Sequence, residues 1–160
     1  MRCLPAKVTR AVSASTCSIN SGFDKNGQFR YTPPTHSLLA FEQAMKELEH
    51  EGGVTERGER YRRNQETLME GMKQLGFRPY LDPAVQSSII TSFYYPDTDS
   101  FAFDAFYRLL SDKGFIIYPG KISRANTFRI GSIGRIFPSD INALVSAIDS
   151  VLKEMRIKMV

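Results

Sequence analysis

Apolar residues along the chain recur with two different periods. Leu38, Phe41, Met45 and Leu48 repeat at helical spacing after a possible capping residue, Thr35, and Gly52-Gly53 closes the run. A second helix is expected over residues 54 to 75. It carries a narrow stripe of Tyr61, Leu68, Met72 and Leu75, with Gly76 at its end. Residues 86 to 95 are β-branched and aromatic and read as a strand. A third helix covers 101 to 113, with Phe103, Phe106 and Leu110 on one side. The short run FIIY, residues 115 to 118, reads as a buried strand closed by Pro119-Gly120. Residues 126 to 131 alternate with the period of two. Pro138-Ser139 opens a last helix bearing Ile141, Leu144, Ile148, Val151 and Met155.

The order helix, helix, strand, helix, strand, strand, helix predicts an α+β fold, a mainly antiparallel sheet covered by helices. The two leading helices have no strand between them. They are expected to bridge to material outside this chain. Tyr31-Thr32-Pro33-Pro34, just before them, imposes an extended or turning path.

Composition adds little to this picture. The 160 residues suit one domain, and 42% hydrophobic with 24% charged residues is an ordinary globular balance. No run reaches the roughly 20 apolar residues of a membrane helix. The charge of +4 is mildly basic and suits an anionic ligand. It does not indicate nucleic acid, because the arginines of ERGERYRR (56 to 63) are interleaved with Glu56 and Glu59 and read as a solvated helix face. Cys3 and Cys17 have no metal-ligand spacing and read as reduced thiols of an intracellular protein. Arg2, Lys7 and Arg10 with serines and no acid before Asp24 weakly resemble a mitochondrial transit peptide, and an irregular surface segment is the preferred reading.

Most catalytic signatures are missing. There is no phosphate-cradling GxxxxGK[ST] loop, no strand-borne GxGxxG and no metal-spaced cluster. His36 and His50 fall at helix ends and read as solvated. What remains is Arg129, Lys121 and the YTPPTH segment. Arg129 lies on the face of its strand opposite Phe128 and Ile130, with Gly131 two residues on. Its fork could hold a carboxylate or phosphonate through two parallel bonds, or it could pair with an internal acid or point into water. Lys121 follows a Pro-Gly turn and reads as exposed. Thr32 offers a hydroxyl before two prolines.

These residues resemble a known family. FRYTPPTHSLLAFEQAMKELEHEGGVTERGERYRRNQETLMEGMKQLGF, IYPGKIS and FRIGSIG are similar to the C-terminal part of 2-aminoethylphosphonate–pyruvate transaminases, class V aminotransferases of fold-type I. TPPTH, EGGV, RYRRNQETL, YPGK and FRIG stand in the family's order from about Phe29 to Leu152. The resemblance implies residues 1–34 as a remnant of a large domain or linker, 35–75 as bridging helices and 76–160 as the small C-terminal α+β domain. It implies a pyridoxal 5′-phosphate enzyme, homodimeric and cytoplasmic or mitochondrial. Its substrates are 2-aminoethylphosphonate and pyruvate, its products phosphonoacetaldehyde and alanine. By position, Arg129 would grip the keto-acid carboxylate, and Thr32 would reach the cofactor phosphate, across the dimer. Phe29 stands where related alanine–glyoxylate enzymes have a tyrosine and lacks the hydroxyl for that role.

The chain also departs from the family. The Schiff-base lysine lies upstream of everything matched. Lys7 lacks its surroundings and Lys121 belongs to YPGK, a different motif. A fragment unable to transaminate alone is therefore expected. A non-catalytic anion- or partner-binding module, or a fragment of an alanine–glyoxylate or serine–pyruvate relative, remains the alternative.

Overall fold

The computed structural model describes residue 27 and residues 32–98, 100–120 and 125–157. Cys3, Cys17, Lys7, Phe29, Lys121 and the arginine- and serine-bearing start lie outside the described residues. The backbone divides into two compact units, Met1–Gly53 and Val54–Val160.

In the first unit, α1 spans Thr35–His50. Its stripe is not a core stripe: no residue of α1 is buried, and Leu38 and Phe41 are 48% and 64% exposed. Nor does Thr35 cap it. Pro34 holds the cap position with no side-chain bond, and the Thr35 N–H reaches the Pro33 carbonyl at 2.8 Å. Pro33 and Pro34 fix the entry path before the first turn needs its donors, so a hydroxyl cap is dispensable.

In the second unit, α2 spans Gly53–Gln74, β1 Ile90–Tyr94, α3 Phe103–Asp112, β2 Tyr118–Pro119, β3 Thr127–Gly131 and α4 Pro138–Glu154. A single 3-10 turn, Pro83–Val85, precedes β1. Gly76 ends α2 at φ +86°, where Phe77 donates back to the Met72 carbonyl at 2.9 Å and turns its ring into the core. The sheet is antiparallel in the order β1-β3-β2, with β3 in the middle. The FIIY run is not the buried strand expected of it. Only Tyr118 and Pro119 pair with β3, Ile116 and Tyr118 are exposed, and Ile117 alone is fully inside. Proline is tolerated there because the strand forms an edge.

One sheet face carries the core. Phe93, Phe128 and Ile130 pack with Leu68 and Met72 of α2, Phe106 and Leu110 of α3, and Ile141, Leu144, Ile148, Val151 and Leu152 of α4. Tyr95 stacks on Phe103 at 5.4 Å and approaches Phe101 and Phe128. Burial raises its phenol above the ordinary value of about 10, and the Asp104 carboxylate adds to the shift. The folded state therefore favours the neutral phenol. That contribution is whole below the unfolded value and is lost as pH rises through the folded one. As pH rises above the ordinary phenol value of about 10, urea stability should fall more steeply for the chain than for Tyr95→Phe.

The arginine-rich stretch of α2 is only partly the solvated face expected. Arg62 bridges Glu59 and Glu66 on the surface, and the Arg62 side chain holds the Glu59 carboxyl below its usual range. Arg60 is 8% exposed and lies between the rings of Tyr61 and Phe137. It donates to the carbonyls of Gly134 and Ile136, and Asn64 Nδ2 also reaches Ile136 O, at 2.7 Å. The two side chains clamp the loop that follows β3. Arg60→Ala should lower stability by about 2–3 kcal/mol, through lost charge-assisted bonds and stem packing. Asn64→Leu should cost under about 1 kcal/mol, because Ile136 O keeps Arg60 and the unpartnered Oδ1 disappears. Urea midpoints at unchanged slope would separate the two.

Candidate functional site: the open sheet face

The face of the sheet away from the aromatic core carries the polar chemistry. On β3 it presents Thr127, Arg129 and Gly131, and on β1 Ile90, Ser92 and Tyr94. Arg129 stands opposite Ser92 on one side and Tyr118 on the other. The Tyr95 N–H to Asn126 O bond, 3.0 Å, and the Ser132 N–H to Ile89 O bond, 2.9 Å, place the Ser92–Arg129 pair at a non-hydrogen-bonded position. Side chains come closest together at such positions. A further segment continues the sheet beyond β1: the Tyr80 N–H donates to Ser92 O at 2.8 Å, and the Tyr94 N–H donates to Arg78 O at 3.0 Å. The Tyr80 and Tyr94 rings lie 5.4 Å apart, and the Arg78 guanidinium sits 5.5 Å from the Tyr94 centroid.

Arg129 is exposed on this face, and among the described residues no acid pairs with it. Neither β1 nor β3 contains an aspartate or glutamate. Of the three fates open to Arg129 in the sequence, pairing with an internal acid is thus excluded among the described residues. A fork on the central strand, flanked by two hydroxyl-bearing side chains, can accept a planar carboxylate through two parallel bonds. Space beside it is free: a Cβ at Gly131 would meet nothing nearer than Ile89 O at 4.0 Å. The sequence alone does not single out Ser92 and Tyr118, since strand register, which sets their neighbours, is not written in either strand by itself.

Thr32 is exposed, in the first unit, and begins the Thr-Pro-Pro lead into α1. His36 and His50 are exposed on α1. No group of three metal-ligating side chains occurs among the described residues, and no helix there is long and apolar enough to cross a membrane.

No family model matches the chain. Among curated proteins, 129 residues, 81% of the chain, are 54% identical to the 2-aminoethylphosphonate–pyruvate transaminase of Klebsiella pneumoniae subsp. pneumoniae, covering 35% of it. The Phocaeicola vulgatus enzyme of the same name is 56% identical over 128 residues, 80% of the chain and 35% of its own length. The chain is homologous to one third of a 2-aminoethylphosphonate–pyruvate transaminase. Solved structures agree on the fold. The ureidoglycine–glyoxylate aminotransferase of Bacillus subtilis superposes with a TM-score of 0.73 at 19% identity, over 89% of this chain and 37% of that one. The alanine–glyoxylate aminotransferase of Nostoc sp. gives 0.73 at 21% identity over 83% and 36%. The fold is the α+β fold found in fold-type I aminotransferases, and the chain spans about a third of the length of the relatives it matches.

Proposed function

We propose that the chain is the small-domain portion of an enzyme that transfers the amino group of 2-aminoethylphosphonate to pyruvate, giving phosphonoacetaldehyde and alanine. The observation that carries this reading is Arg129, exposed on the open sheet face without an acid partner among the described residues, in a chain 54% identical to a transaminase of that name. Its guanidinium holds the pyruvate carboxylate, and Gly131 leaves the approach open. Residues 76–160 form the small C-terminal domain, 35–75 the bridging helices and 1–34 the link to a large domain. The reading includes a cytoplasmic homodimer, in which the Thr32 hydroxyl reaches the phosphate of pyridoxal 5′-phosphate in the neighbouring site. When bound, that cofactor supplies the electron sink for amino transfer.

The described lysines do not fit the covalent attachment of that cofactor. Lys46, Lys113 and Lys153 are ion-paired on helices or at their ends, and Lys73 is exposed on the last turn of α2. None is enclosed in an apolar pocket that would free its amine for a Schiff base. No step through the cofactor is therefore assigned to this chain, and its own contribution is substrate binding. This observation favours, as the second reading, an anion-binding module that performs no turnover.

Pyruvate titrated against the 160-residue chain should move the Arg129 Nε–Hε resonance saturably, at millimolar concentration, while acetone, which lacks the carboxylate, should leave it in place. An unmoved Arg129 signal would remove the basis of the proposal.

A further inference from the structure

We infer that Gly120 is a positioning residue for Arg129: its bare α-carbon is the surface on which the arginine stem lies, and this fixes where the fork points. The inference rests on the reading of Arg129 as the carboxylate-binding group. A Cβ built at Gly120 would fall 2.6 Å from Arg129 Cγ, 3.1 Å from the Phe128 carbonyl carbon and 3.2 Å from the Arg129 N. No side chain larger than hydrogen fits beside that stem. The requirement is spatial and not one of backbone freedom, because Gly120 does not occupy the left-handed region.

The segment bearing Gly120 is fastened to the arginine's own strand. Gly120 N–H donates to Thr127 O at 3.2 Å, and the buried Thr127 hydroxyl donates to Gly120 O. Tyr118 and Pro119 pair with Arg129 and Phe128. Gly120 is itself buried although Pro119 before it is exposed. Arg129 thus has Ser92 on one flank and, on the other, a Tyr-Pro-Gly edge whose glycine admits the methylenes of the stem. With Cγ confined at that point, the first side-chain torsion is restricted, and the entropy lost on gripping a planar anion is correspondingly smaller. Gly131 is the contrast. It lies on the same strand and the same face as Arg129, yet a methyl there has room.

The test compares Gly120→Ala with Gly131→Ala in the 160-residue chain. Three-bond couplings from Arg129 Cγ to its backbone N and C′ report the first torsion without any ligand. The unsubstituted chain and Gly131→Ala should show one rotamer. Gly120→Ala should show a changed or averaged value, with pyruvate binding at least 10-fold weaker and the core resonances of Ile130 and Leu110 unmoved. If the Gly120→Ala couplings match those of the unsubstituted chain, the inference is overturned. If they change while pyruvate affinity does not, Gly120 keeps its positioning role and it is the carboxylate-binding reading of Arg129 that fails. Should Gly120→Ala not fold, Thr127→Val is decisive: it removes the hydroxyl bond to Gly120 O without adding bulk. Averaged Arg129 couplings then support the inference, and unchanged ones overturn it.

Discussion

Phe128→Ala is expected to lower stability by about 3–5 kcal/mol, the range for truncating a fully buried aromatic ring. Phe128 is 0% exposed, and its ring centroid lies 5.5 to 6.2 Å from those of Phe77, Phe93, Tyr95, Phe103 and Phe106. Those rings come from the sheet, from α3 and from the loops on both sides of β1, so the cavity has no single neighbour that can swing in to fill it. Edge-to-face geometry with Phe77, at 80°, and with Phe106, at 63°, adds about 0.5–1.5 kcal/mol per pair beyond burial. Domains of this size are stable by about 5–15 kcal/mol in total, so the variant should be largely unfolded at modest urea. Urea denaturation followed by near-ultraviolet circular dichroism would measure it. A midpoint unchanged from the parent would mean that this ring cluster is not the core.

The next residue along the strand should behave in the opposite way. Arg129→Leu should leave the urea midpoint nearly where it is, because the side chain is exposed and surface changes of this kind stay within about 0.5 kcal/mol. Pyruvate binding should weaken by at least 10-fold, equivalent to about 1.4 kcal/mol and below the roughly 1.5–3 kcal/mol of a single charge-assisted bond. Arg129→Lys would retain the charge but lose the fork. It should recover only part of the affinity, because an ammonium cannot place two parallel donors on a carboxylate. Calorimetric titration of the parent and the two variants gives the order directly. Equal affinities for the parent chain and the Arg129→Leu variant would show that the anion binds elsewhere on the molecule.

The contrast between these neighbours is legible in the sequence. Alternation at 127–131 places Phe128 and Ile130 inward and Arg129 outward, and β3 has that pattern. Helices α2, α3 and α4 also follow from 3.6-residue spacing, to within two residues at their ends. Leu38, Phe41 and Met45 keep helical spacing and are exposed, because periodicity says which residues share a face and not whether anything covers it. The failures share a cause. FIIY is apolar but supplies only an edge pair, since residues 115 to 117 place Ile117 alone fully in the core. Arg60 reads in sequence like its solvated neighbours, although carbonyls more than 70 positions away take it out of solvent. Gly131 stands out in the sequence because it sits two residues from Arg129, whereas the glycine that touches the arginine stem comes nine positions earlier, from the adjoining strand edge. Site residues within one element can be read from spacing, and those assembled by pairing between elements cannot.

The central place of β3 also bears on how alignment errors are rejected. Sliding it by one position against β1 would exchange its faces, turning Phe128 to water and driving Arg129 into the ring of aromatic side chains. That misfold would surrender the ring packing and strand an uncompensated cation in hydrocarbon, a cost of several kcal/mol on either count. The same exposed charge therefore acts during folding as a proofreader, and a chain that folds stably around this strand presents its fork outward.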